Sequence, residues 1–210
     1  MSNKPYKGFE PKWVLTPAPA DSYRSIFRWG DPNFFKYPKE SLYTLMKETF
    51  QMTDDDFKAY SDDIGFDPVD LSDHPVQLAP EHIEALKKIV GEQNVSTTDY
   101  DRLSVAYGFT AYDILRLRHK RVDSVPDVVL YPETTGQVEQ IVAYSTEHHI
   151  PLYVYGGGSS VTRGVEPVKG GISLDMRRNF NKVISFNEID QTITVQAGMS
   201  GPDLEKTLQA

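Results

Sequence analysis

Residues Ile150–Val161, which read IPLYVYGGGSSV, constrain the architecture of this chain more than any other segment. The first half is an apolar run typical of a strand, and the second half opens with three consecutive glycines, Gly156–Gly158. Glycines let the backbone turn tightly and direct several N–H groups into one concavity, and such nests bind phosphate oxygens. Ser159 and Ser160 add hydroxyl donors. The segment therefore predicts a strand that runs into a phosphate-binding loop, with a plain surface turn as the alternative.

Two common phosphate motifs do not fit this loop. The P-loop requires a lysine directly after its second glycine, and no lysine follows the glycines here. The Rossmann fingerprint G-x-G-x-x-G finds its first two glycines at Gly156 and Gly158, but its last position is Val161. The sequence thus disfavours a P-loop nucleoside triphosphatase and a Rossmann dinucleotide site.

The residues before the loop have the pattern of a β-α-β unit. Val128–Tyr131 is a short apolar run bounded by prolines, which is typical of a buried strand. Thr134 and Gln137 have the spacing of a helix capping box, and an amphipathic segment follows them. Leu152–Tyr155 is the second strand. We expect the two strands to be parallel, with a right-handed crossover between them.

Further elements are predicted after the glycine loop. They are three strands and a last helix capped by Ser200 and Asp203, and the strands lie at Ile172–Leu174, Val183–Phe186 and Thr192–Gln196. The helix runs to Ala210 without a stop signal, so we expect the chain to end inside a domain.

Residues 1–124 differ from the rest of the chain in composition and in hydrophobic pattern. Five prolines among aromatic residues in the first ~35 positions predict an extended arm, because proline at that density is incompatible with helix and sheet interiors. Helices are predicted after Pro38, over residues 80–91 and over about 110–119. The end of the last helix is basic, and it is either a cationic helix terminus or an anion-contacting cluster. Its residues are Arg116, Arg118, His119, Lys120 and Arg121.

We therefore predict an α+β fold in two regions. Residues 1–124 form a proline- and aromatic-rich arm with a helical segment, and residues 125–210 form a β-α-β start that leads into a small mixed sheet. The acid-rich stretch Asp54–Asp73 lacks the spacing of an EF-hand loop, and we interpret it as a solvated turn region. No metal site is predicted.

Composition excludes several classes of function. With 22 Lys and Arg against 30 Asp and Glu the net charge is −8, so no nucleic-acid partner is expected. The absence of cysteine excludes disulfides, thiolate nucleophiles, Cys-ligated zinc and iron–sulfur clusters. No stretch of about 18 apolar residues and no apolar leader are found, so we expect a cytoplasmic protein without a signal peptide or transmembrane segment.

The order of these motifs resembles the FAD-binding domain of the vanillyl-alcohol oxidase / p-cresol methylhydroxylase superfamily. The resemblance covers about residues 96–210. It rests on five stretches that occur in the same order, which are Pro126–Pro132, Ile150–Val161, Gly170–Asp175, Asn181–Ile184 and Val195–Gly201. Within the superfamily the chain is most similar to the alkyldihydroxyacetonephosphate synthase family, because Arg28–Gly30, Asp101–Gly108 and Ile114–Arg118 resemble segments of its N-terminal part.

The resemblance implies that the glycine loop holds the diphosphate of FAD. The implied cofactor-binding residues are Val154, Tyr155, Gly156, Gly157, Gly158, Ser159, Ser160 and Val161. The family usually has a proline where Val154 stands. Its absence makes the turn less rigid here but removes no phosphate donor. Several relatives attach FAD through a histidine in or beside this loop, where this chain has serines. His148 and His149 are expected to be solvent-facing or capping groups, so FAD is expected to bind non-covalently.

The resemblance also implies an enzyme. The implied activity is the exchange of an acyl group for a fatty alcohol in ether-lipid synthesis, and a lipid-like substrate would fit a peripheral membrane location. One alternative is an FAD-linked D-lactate or 2-hydroxyacid dehydrogenase or a glycolate oxidase-like enzyme, and another is a non-catalytic remnant of a flavin domain. The catalytic residues are unknown and are expected beyond Ala210, so these 210 residues alone are expected to be inactive. A homodimer is an expected form of assembly.

Overall fold

The computed structural model describes residues 16–26, 37–59 and 64–209. The chain divides into two compact units, one of residues 1–68 with 117–120 and one of residues 69–116 with 121–210. The second unit begins earlier in the chain than the region 125–210 assigned to the FAD-binding domain, and that domain boundary stays a prediction. Most of the proline-rich arm lies outside the described residues.

The smaller unit contributes three short helices among its described residues. They are α1 (Tyr23–Ile26), α2 (Glu40–Phe50) and α3 (Asp54–Lys58). The helix predicted after Pro38 is confirmed by α2. The start of α3 is a capping box in which the Thr53 Oγ1 accepts from the Asp56 N–H at 3.4 Å and the Asp56 carboxylate accepts from the Thr53 N–H at 2.7 Å.

The larger unit is built on a four-stranded sheet. Its strands are β1 (Val95–Ser96), β2 (Val128–Leu130), β3 (Leu152–Tyr155) and β4 (Ile172–Asp175), in the spatial order β1-β2-β4-β3. The strands β2, β4 and β3 are parallel, whereas β1 is antiparallel to β2. The predicted β-α-β unit is confirmed as parallel. Its two strands are not neighbours, however, because β4 lies between them.

Five helices, a 3₁₀ turn and a separate hairpin complete the described residues of this part of the chain. The helices are α4 (Pro80–Val90), α5 (Asp99–Ser104), α6 (Ala111–Arg118), α7 (Thr135–Glu147) and α8 (Gly201–Gln209), and a 3₁₀ turn covers Glu92–Asn94. The hairpin pairs β5 (Val183–Asn187) with β6 (Thr192–Val195). This set of helices with a small mixed sheet confirms the predicted α+β class. None of the helices in the described ranges combines the length and the apolarity that crossing a membrane requires.

One hydrophobic core joins α4, α7 and the sheet. Leu86 and Val90 of α4 and Ile141 of α7 pack with the fully buried side chains of β2 and β4. The start of α7 differs slightly from the predicted capping box. The Thr134 hydroxyl accepts from the Gln137 N–H at 3.2 Å, but the Gln137 side chain accepts from the N–H of Glu133 rather than from that of Thr134, at 2.7 Å. Both donors at the helix start are still satisfied.

The basic run at the end of α6 is matched by carboxylates of the chain itself. The side chain of Arg116 is 2% exposed, and its guanidinium donates to Asp113 at 3.1 Å, Asp123 at 2.7 Å and Glu166 at 3.2 Å. Arg121 also pairs with Asp123, and Lys120 pairs with Asp67 within the smaller unit. The interpretation as an anion-contacting cluster is therefore not supported for these three cations.

Glu166 ties this network to the connection between β3 and β4. Its carboxylate accepts from Arg163 at 2.5 and 2.8 Å as well as from Arg116. The hydrogen bond from Arg163 lowers the pKa of Glu166, burial acts in the opposite direction, and Arg116 lowers it further. The residues that follow the glycine loop are thus anchored to the segment around α6.

We expect the Glu166→Gln variant to be less stable than the parent by about 1.5–3 kcal/mol at neutral pH, because charged hydrogen bonds to two arginines are lost. A carboxyl with a depressed folded-state pKa stabilises the fold above its unfolded pKa of about 4.3, and this contribution is lost as the pH falls through the folded pKa. The stability difference between parent and variant should therefore shrink below about pH 4.5. Urea unfolding at several pH values measures it, with the exposed Glu133→Gln as the control. A difference that is constant with pH would contradict this assignment.

Candidate functional site

The glycine loop lies at the carboxyl end of the parallel strands. The strand β3 ends at Tyr155, directly opposite Asp175 at the end of β4, and Gly156–Ser160 continue beyond this edge. In open sheets of parallel strands, ligands bind outside the carboxyl ends of the strands, where the connections leave a crevice. The loop therefore occupies the edge of the sheet where a bound cofactor is expected.

The loop holds several unused backbone donors. Within residues 64–209, no carbonyl or side-chain oxygen accepts a hydrogen bond from the N–H groups of Gly156 to Ser160. Gly158 has a φ of +68°, and an added Cβ at Gly157 would meet no atom within 4 Å. Free N–H groups around a left-handed glycine form the concavity that accepts anionic oxygens. These donors are therefore available to an anionic ligand, and the binding of a diphosphate here stays a prediction.

Contacts on the side away from this concavity fix the loop. The Ser160 carbonyl accepts from the Phe109 N–H at 2.9 Å, and the Ser160 Oγ accepts from the Gly164 N–H at 3.1 Å. Gly108 makes the first contact possible, because a Cβ there would stand 2.1 Å from the Ser160 carbonyl oxygen. Ser160 thus uses its carbonyl and hydroxyl to hold the loop, and its predicted role as a hydroxyl donor to phosphate stays a prediction.

The eight predicted site residues have different environments. Tyr155 and Gly158 are buried, Gly156 and Ser160 are partly buried, and Val154, Gly157, Ser159 and Val161 are exposed. The Tyr155 hydroxyl lies under the loop, since a Cβ on Gly158 would be only 2.1 Å from it. Tyr155 is therefore a support for the loop, and the exposed members form its open surface.

An arginine–carboxylate pair holds Tyr155 in place. The Arg177 guanidinium lies 4.5 Å from the centre of the Tyr155 ring and donates to Asp175 at 2.8 and 2.5 Å. Neither Arg177 nor Asp175 was predicted from the sequence as part of the site. Their positions could have been found from the pairing register, because Asp175 is the residue of β4 that faces Tyr155.

A second loop forms a wall next to the glycine loop. After β6, the Gly198 N–H donates to the Phe180 carbonyl at 2.8 Å, and a Cβ on Gly198 would lie 2.0 Å from the Met176 carbonyl oxygen. The Ala197 carbonyl oxygen lies 3.3 Å from the position of a Cβ on Gly156. The hairpin β5–β6 therefore returns the chain to the glycine loop and narrows the space beside it.

Charge near the loop is largely neutralised within the protein. Arg177 pairs with Asp175 and Arg163 pairs with Glu166. Arg178 is exposed, and its guanidinium lies 4.8 Å from the centre of the Tyr131 ring. An anionic ligand at the loop would therefore be held mainly by backbone N–H dipoles.

Comparison with known proteins agrees with this geometry. Residues 126–210 match the family described as FAD binding domain. Alkyldihydroxyacetonephosphate synthase from Dictyostelium discoideum is 30% identical over 137 residues, which are 64% of this chain and 22% of that protein. The mitochondrial D-lactate dehydrogenase [cytochrome] 1 from Saccharomyces cerevisiae is 28% identical over 144 residues, which are 68% of this chain and 24% of that protein.

A solved structure of an alkyldihydroxyacetonephosphate synthase has the same arrangement. It superposes with a TM-score of 0.60 and 29% identity over 65% of this chain and 25% of that one. The matches thus cover about a quarter of the length of these relatives. The resemblance to an FAD-binding domain is confirmed, and FAD is the cofactor of that domain.

Substitutions at two glycines of the loop test ligand binding and folding separately. Gly157→Ala places a methyl group in open space at the donors, so we expect intact folding and a loss of about tenfold or more in FAD affinity, as for a lost charged hydrogen bond. Gly158→Ala forces a left-handed backbone onto alanine and drives its Cβ into Tyr155, so it should lower stability by at least about 1–2 kcal/mol.

Gly201→Ala is the matched control for Gly157→Ala, because a Cβ on Gly201 also meets nothing within 4 Å. Thermal melting and flavin fluorescence titration of the three variants measure stability and affinity separately. A Gly157→Ala protein that retains FAD as well as Gly201→Ala would show that the diphosphate binds elsewhere.

Proposed function

We propose that this chain, whose residues 126–210 match an FAD-binding domain, holds the flavin of an enzyme resembling alkyldihydroxyacetonephosphate synthase. The observation that supports the proposal most directly is the glycine loop with unused N–H donors at the carboxyl end of β3. The similarity to two synthases of this name, at 28–30% identity, supports the choice within the superfamily. The proposed reaction is the exchange of an acyl group for a fatty alcohol.

In this proposal the chemistry is divided between cofactor and protein. FAD supplies the reactive group, and the protein binds and orients it. The N–H groups of Gly156 to Ser160 bind the diphosphate, and the wall at Gln196–Gly198 limits where the rest of the cofactor can extend. Tyr155, held by Arg177, keeps Gly158 in its left-handed conformation.

A flavin-linked 2-hydroxyacid dehydrogenase is the second candidate. The similarity to a D-lactate dehydrogenase and to the glycolate oxidase subunit GlcD of Bacillus subtilis, which is 26% identical over 127 residues, favours it. The two candidates share the loop and its supports, so they differ in the residues that bind the substrate.

Substrate assays of the flavin-loaded, full-length protein separate the candidates. We expect turnover of an acyl-dihydroxyacetone phosphate with a fatty alcohol, and no reduction of a dye acceptor by D-lactate or glycolate. The reverse result would support the dehydrogenase. Full FAD loading with neither activity would support a flavin-binding remnant.

We also expect the flavin to be attached non-covalently, because the loop carries serines and the chain has no cysteine. Acid precipitation of the loaded protein should leave all flavin fluorescence in the supernatant. Fluorescence that stays with the denatured chain would contradict this and would direct attention to His148 or His149, which lie just before β3.

A further inference from the structure

Three rings meet where α4 packs against α7. The centres of the His82 and His148 rings are 5.1 Å apart, the Tyr144 ring lies 4.2 Å from that of His148, and it lies 5.9 Å from that of His82. His82 belongs to α4, Tyr144 to α7, and His148 is the residue that caps the carboxyl end of α7. The fold thus brings together two imidazoles that are far apart in the sequence.

Hydrogen bonding leaves nitrogens of both imidazoles available. The His82 Nδ1 is 2.8 Å from the Tyr144 hydroxyl, which fixes the orientation of the His82 ring. In the part of the chain from residue 64 to 209, no protein group bonds to the His82 Nε2 or to either ring nitrogen of His148. Metal-binding histidines commonly use one ring nitrogen for an oriented hydrogen bond and the other for the metal.

The surroundings of the rings favour a cation. His148 lies at the carboxyl end of α7, where the helix dipole is negative. Tyr144 adds no positive charge there, and its hydroxyl contacts only the Nδ1 side of His82.

We propose that His82 and His148 form a binding site for a divalent transition-metal ion of the zinc and copper class. Zn–N bonds of about 2.0–2.1 Å in tetrahedral geometry place two imidazole centres about 5 Å apart, close to the separation in this structure. Among the described residues no group of three or more ligands is present. The protein therefore contributes two imidazoles, and water completes the coordination.

A metal at this position would bridge two parts of the larger unit. The helix α4 precedes the residues that match the FAD-binding domain, whereas α7 lies within them. A ligand that binds only the folded state stabilises it by mass action, so the metal would strengthen the α4–α7 contact. This site is separate from the glycine loop and does not depend on flavin.

Titration of the tag-free full chain with Zn²⁺ by calorimetry tests the proposal, with Mg²⁺ as the control ion. We expect one Zn²⁺ per chain with a higher melting temperature, and no binding of Mg²⁺, which prefers oxygen ligands. His82→Ala and His148→Ala should each lower Zn²⁺ affinity by about tenfold or more, whereas His149→Ala, at the neighbouring exposed histidine, should leave it unchanged.

Tyr144→Phe gives a second, conservative test. It keeps both imidazoles but removes the hydrogen bond that orients His82, so Zn²⁺ should still bind, with an affinity about tenfold lower. Melting curves without metal establish that each variant folds. Absence of Zn²⁺ binding to the parent, or an isotherm of His148→Ala that matches the parent, would overturn the assignment.

Discussion

The hydrogen bond from the Phe109 N–H to the Ser160 carbonyl, at 2.9 Å, is the contact on which the geometry of the glycine loop depends. A loop whose N–H groups are unsatisfied lacks the internal hydrogen bonds that would hold it in one conformation. Here Ser160, at the far end of the loop, is bonded to Phe109, more than forty positions earlier in the chain. The two segments can lie this close only because residue 108 is glycine. Its near end is fixed by β3 and by the Tyr155 ring under Gly158. The donors can stay free because both ends are held.

The sequence was sufficient for features that depend on local pattern. Two examples are the apolar run of β3 and the cap of α7 at Thr134, because each is determined by residues within a few positions of each other. The insertion of β4 between β2 and β3 could not be predicted in this way, since it depends on pairing across the fold. The same holds for the burial of Arg116, because one of its three carboxylate partners, Glu166, lies fifty positions away in the sequence, whereas Asp113 and Asp123 are close to it.

Electrostatics at the site follow from the acidic composition. With a net charge of −8, the chain as a whole does not attract a dinucleotide diphosphate, and the arginines nearest the loop are paired with Asp175 and Glu166. Fixed backbone dipoles provide local attraction that does not depend on net charge. Such a site gains its affinity from preorganisation, which is why the supports behind the loop matter as much as the glycines themselves.

Two of the stretches that carry the family resemblance, Pro126–Pro132 and Gly170–Asp175, position strands at the opposite end of the sheet. The Asp127 carboxylate accepts from the Gly171 N–H at 2.7 Å and from the Gln77 N–H at 2.6 Å, and so joins the beginnings of β2 and β4. Gly170 and Gly171 both have positive φ, and a Cβ on Gly170 would stand 2.7 Å from that carboxylate. The motif around Asp127 and the motif around Gly170 are therefore two halves of one contact. Because this contact positions the strands of the sheet itself, enzymes that act on different substrates can share it.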